Sequence, residues 1–250
     1  MNTSIHIDSS RFHPLQSRST LPDLPLISIA LISAATLAYE ILLMRLFSII
    51  QWHHFAYMMI SLALLGYGAS GTFVFLFRRW LVRRFLTAYL VNAILFGISA
   101  MVCFRLAQAV PFNALEVLWD PLQPFWLVLI FLLLFVPFFC AANCICLAFS
   151  HYPGQLHRIY CYDLSGAGIG AAAIIGLLFI VSPPAALQAV AALGLMAAAV
   201  AWWEAGVRPR WPTLLLISAA VVLLFPAAEF SLNVSEFKGL SQSLRVLNAK

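Results

Sequence analysis

Seven apolar runs follow one another along this chain, over residues 24–50, 54–77, 85–108, 125–149, 161–181, 184–203 and 211–228. Each approaches or exceeds the roughly 20 residues a helix needs to cross hydrocarbon. A backbone in lipid finds no water for its N–H and C=O groups, so only helices and closed β-barrels can span. Barrel strands alternate apolar and polar residues over about ten positions, and these runs do not alternate. The expected fold is therefore all-α, a polytopic integral membrane bundle of about seven transmembrane helices. Composition agrees: 63% of residues are apolar and 9% charged, where soluble domains are roughly half apolar and a quarter charged. So few charges cannot supply a polar shell, and the lipid bilayer is the expected partner of most of the surface.

The runs divide the chain into a polar leader (1–23), a transmembrane domain (24–228) and a polar tail (229–250). The leader has no helical apolar period. Ala35-Thr36-Leu37-Ala38 roughly matches a signal cleavage site, but its run is too long for a signal peptide, which favours an uncleaved anchor. Orientation follows from arginine. With the N-terminus in the cytoplasm, the inner loops hold Arg78, Arg79, Arg83, Arg84, Arg158, Arg208 and Arg210, while the outer loops hold only Glu116 and Asp120. A bacterial inner membrane fits this asymmetry. The net charge of +5 is thereby read as facing anionic lipid and not nucleic acid. Seven spans put the tail outside; a re-entrant hairpin at Ser182-Pro183-Pro184 would return it to the cytoplasm.

Charges inside apolar runs are expensive unless paired or hydrated. Glu40, Arg45, Arg105 and Asp163 are the four. Glu40 and Arg105 fall at similar depths toward the outer side, and Glu40 and Arg45 lie about 140° apart around a helix. The expectation is an outer cluster of Glu40, Arg45 and Arg105 with His53 and His54 near its mouth. The alternative is a structural ion pair with the arginines snorkelling. Asp163, near Arg158, is read as an acid in a helix's first turn, complementing the dipole, or as an inner-side contact.

The segment Tyr160 to Gly170 is rich in glycine but has no preceding strand, as a dinucleotide fingerprint requires. Gly166 and Gly170, followed by Gly176, instead make a small helix face for close packing. The alanine-rich run from Ala185 to Ala201 is its expected partner. Cys103, Cys140, Cys144, Cys146 and Cys161 are read as small apolar packing residues. No spacing typical of a metalloprotease, redox or nucleophilic site occurs, so no catalytic, cofactor or metal residue is assigned. Pro137 is a candidate helix break.

The stretch Ala38-Tyr39-Glu40-Ile41-Leu42-Leu43-Met44-Arg45-Leu46-Phe47, the glycine-bearing Leu65-Gly66-Tyr67-Gly68-Ala69-Ser70-Gly71 and the arginine-rich segment after it resemble the opening of membrane-bound spermidine synthase-like proteins. A second motif, Tyr160 through Asp163-Leu164-Ser165-Gly166-Ala167-Gly168-Ile169-Gly170, resembles the family's Tyr-x-x-Asp-Leu-x-Gly-Ala pattern. The resemblance implies that a helical membrane domain precedes a cytosolic aminopropyltransferase- or methyltransferase-type domain. That domain binds decarboxylated S-adenosylmethionine or S-adenosylmethionine. Residues 233–242 resemble the lead-in to it, which implies a cytosolic tail, but its Gly-rich loop and acidic residues are not in the sequence. The expectation is the membrane portion of a longer or split polyamine-synthase-like protein, or one that has lost the enzyme. The alternatives are a stand-alone transporter or channel component, and a structural membrane partner subunit.

Overall fold

In a computed structural model, residues 24–50, 53–112 and 119–206 are described, together with Leu216, Ser218 and Ala219. The fold is all-helical among these residues. The helices are α1 (Leu26–Ile50), α2 (His53–Leu76), α3 (Arg78–Arg83), α4 (Phe85–Ala109), α5 (Gln123–His151), α6 (Leu156–Ile180) and α7 (Pro183–Glu204), with a 3-10 turn at Pro153–Gln155 before α6. All but α3 are long and apolar enough to cross a membrane, making six spans among the described residues. The chain is a membrane-embedded helical bundle. The seventh expected run, 211–228, lies outside the described residues apart from Leu216, Ser218 and Ala219.

Two boundaries differ from expectation. The arginine-rich segment after α2 is a short helix, as its arginine, leucine and tryptophan residues allow, rather than an open loop. α6 starts at Leu156, five residues earlier than its apolar run, because the polar residues at its start still favour helix. Neither α6 nor α7 is a re-entrant stub: at 25 and 22 residues both exceed the hydrocarbon thickness of about 30 Å. Ser182 ends the turn in extended backbone, and Pro183 and Pro184 open α7, where their missing N–H groups cost no helix bond.

Contacts give the directions. Tyr39 of α1 donates to the Ala100 carbonyl of α4 (3.3 Å), and Phe47 meets Phe104 edge-on. The two helices therefore run parallel. α5 returns antiparallel to α4, with Asn143 donating to Asn92 (3.1 Å) near the middle and His151 stacked on Phe85 at the end. α7 runs against both α4 and α1. One end of the bundle thus carries the starts of α1, α4 and α6, the ends of α2, α5 and α7, and all of α3 with its arginines. It is called the arginine end below.

Ser28 ties three helices at that end. Its hydroxyl donates to the Ala197 carbonyl of α7 (2.7 Å), so the Tyr89 hydroxyl of α4, 2.9 Å away, is the donor in the second bond. Bonds of this kind average about 0.6 kcal/mol in membranes. Their main effect is to select one arrangement among apolar surfaces that otherwise discriminate poorly. Pro137 does not break α5, which is continuous from Gln123 to His151. Beside it the α2 backbone comes very close: a Cβ on Gly66 would stand 2.7 Å from the Phe138 Cβ. This glycine is what permits that approach.

Candidate functional site

Asp163 is not in the first turn of its helix. It is two turns into α6, because the helix reaches back to Leu156, and no acid occupies the first turn. Arg158 does not meet it; the arginine is exposed and donates to Gln155 (3.2 Å). Five positions along a helix point the two side chains to different faces. Asp163 instead accepts a hydrogen bond from Ser33 of α1, its one hydrogen bond among the described residues.

The glycine face explains how α6 gets so close. A Cβ on Gly166 would lie 2.2 Å from the Ala30 carbonyl oxygen, and one on Gly170 at the same distance from that of Ala34. Ala30-x-x-x-Ala34 and Gly166-x-x-x-Gly170 are therefore matched small-residue stripes on two parallel helices. The partner of this face is α1 and not the alanine-rich α7, which packs on α4 and α1. The reason lies in α7 itself, whose own glycine, Gly194, is taken by Phe96 and Gly97 of α4. Gly176 is not a packing residue, since nothing lies within 4 Å of the position its Cβ would take.

The expected outer cluster does not assemble. Glu40 is half-buried, Arg45 and Arg105 are exposed, and no hydrogen bond or ion pair joins Glu40 to either arginine among the described residues. Arg45 borders a cavity between α1 and α6, and Arg105 is engaged elsewhere. His53 and His54 begin α2, and their side chains lie outside the described ones.

Glu40 of α1 and Asp163 of α6 are both half-buried carboxylates, and Tyr67 of α2 is a partly exposed phenol on a helix that packs against α1. Counted along their own helices from the arginine end, Asp163 is roughly two turns in and Glu40 roughly four. α1, α2 and α6 thus each carry one of these polar side chains within a span. Ser70, one turn from Tyr67, is wholly buried, and its hydroxyl has no hydrogen-bond partner among the described residues. Glu40, Tyr67 and Asp163 are all partly accessible.

Two carboxylates and a phenol, with a serine hydroxyl as the sole internal donor to one of them, form a site for positive charge. The carboxylates accept, the phenol can donate or accept, and neither carboxylate forms an ion pair among the described residues. Among the described residues no group of three His, Cys, Asp or Glu side chains is placed to hold a metal ion. Cys140 and Cys144 are buried packing residues, and the Cys144 thiol turns to the Tyr89 carbonyl (3.6 Å).

Sequence reasoning missed Tyr67, Ser33, Ser70, Cys146 and Glu204. Tyr67 carried a signal, as a phenol between two glycines inside a span. Glu204 carried another: it ends α7, where the helix dipole disfavours an acid. It serves a different helix, accepting from the backbone N–H groups of Ile27 (3.0 Å) and Ser28 (3.2 Å) at the start of α1.

Compared with known proteins, the chain matches no family model, no curated protein and no solved structure.

Proposed function

We propose that this chain is a membrane domain that handles a small organic cation, with Glu40, Tyr67 and Asp163 as its binding column. The observation that carries the reading is the pair of half-buried carboxylates, Glu40 and Asp163, on the adjacent helices α1 and α6, within spans where an unneutralised charge is expensive. A ligand bearing two or more ammonium groups would neutralise both acids at once. The spermidine synthase-like resemblance supports the same chemistry, since its implied substrates and products are polyamines. In this reading the chain anchors an aminopropyltransferase- or methyltransferase-type domain that uses decarboxylated S-adenosylmethionine or S-adenosylmethionine, and receives or delivers its amine. We place the arginine end and the N-terminus at the cytoplasmic face of a bacterial inner membrane, on the positive-inside pattern.

The test is binding and uptake of radiolabelled spermidine by the full chain in liposomes. Binding should weaken about tenfold or more in E40Q and D163N, in keeping with loss of a charge-assisted contact. Spermidine binding no stronger than in empty vesicles would overturn the proposal. Uptake above empty vesicles would favour a stand-alone transporter over an anchor, the reading that the same column also serves.

A further inference from the structure

The close contact between α1 and α6 at Gly166 and Gly170 does not continue toward the end opposite the arginines. There, Ile41, Met44, Arg45, Ile175, Leu178 and Phe179 border an open cavity of about 520 Å³. Five of these side chains are apolar and one is a guanidinium. Arg45 is exposed, and its side chain makes no hydrogen bond or ion pair among the described residues. Nineteen residues beyond Leu26, it stands about 28 Å along α1, near the depth at which hydrocarbon gives way to headgroups.

A cavity walled by aliphatic side chains, headed by a planar cation and open to the bilayer, has the shape and polarity of a bound lipid. We propose that it holds one anionic phospholipid, its phosphate on Arg45 and part of an acyl chain along Ile41, Ile175, Leu178 and Phe179. Arginine presents two parallel N–H donors to a phosphate, and the bond strengthens where water is scarce. The lining has no acid, so the ammonium of a zwitterionic headgroup finds no counter-charge and anionic headgroups are preferred. The lining includes none of Glu40, Tyr67 and Asp163.

The experiment is native mass spectrometry of the full chain in detergent. It is titrated with palmitoyl-oleoyl phosphatidylglycerol, and with the phosphatidylcholine of identical chains. The unaltered chain should retain one phosphatidylglycerol. R45Q should bind it about tenfold more weakly, as expected for losing a charge-assisted pair. R158Q, which changes an exposed arginine at the other end, should bind as the unaltered chain does. L178W, which fills the cavity and keeps the charge, should also lose the lipid, and it decides the matter if R45Q does not fold. Equal retention of the two lipids overturns the proposal, as does phosphatidylglycerol binding that survives L178W.

Discussion

At the scale of single residues, the informative polar groups are those with one partner each. Asp163 accepts only from Ser33, so S33A leaves a half-buried carboxylate without an internal donor, at a cost of about 1–3 kcal/mol. Removing both partners is far milder than removing one. The S33A/D163V pair should therefore unfold at higher denaturant than S33A alone, which chemical denaturation in mixed micelles will measure. Glu204 makes a comparable prediction. E204Q keeps the shape and removes the charge from the start of α1, and should lower stability by about 1 kcal/mol in the same assay. These partnerships were not legible in the sequence. Glu40 and Asp163 stood out as costly charges, but their surroundings depend on distant segments: the donor to Asp163 lies 130 residues away. A sequence offers no register between such segments.

At the scale of elements, the α1–α6 pair is set by two stripes of small residues whose backbones touch. Adding one methyl group at Gly170 places it 2.2 Å from the Ala34 carbonyl oxygen, so the helices must separate. G170A should lower the thermal midpoint in detergent, corresponding to about 1–3 kcal/mol of overpacking. G176A, where nothing lies within 4 Å, should leave it unchanged; equal losses in both variants would show that the stripe is not the contact. The packing tendency of Gly166 and Gly170 was readable from their spacing. Their partner was not, because α1 and α7 both offer small residues, and only the prior claim of α4 on Gly194 leaves α1 to receive α6.

At the scale of the whole molecule, six described spans return the chain to the side from which α1 starts, and Glu204 fastens the two ends together. A reporter inserted after Gly206 should thus show the same compartment as one placed before Leu24; opposite compartments would contradict the six-span path. By itself, the sequence determined the solvent and the class of fold. Long unalternating apolar runs with so few charges can satisfy their backbones only as helices in lipid, and that inference uses composition and length alone. It also marked where charge sits along each span. Only the tertiary structure decided what each charge meets, moving Asp163 from a helix start to an interhelical bond with Ser33 and leaving Glu40 half-buried, with no ion pair to Arg45 or Arg105 among the described residues. Lipid-facing helices attract one another weakly and without direction, so their neighbours are chosen by close backbone contacts and a few hydrogen bonds, and those exist only once the helices have been brought together.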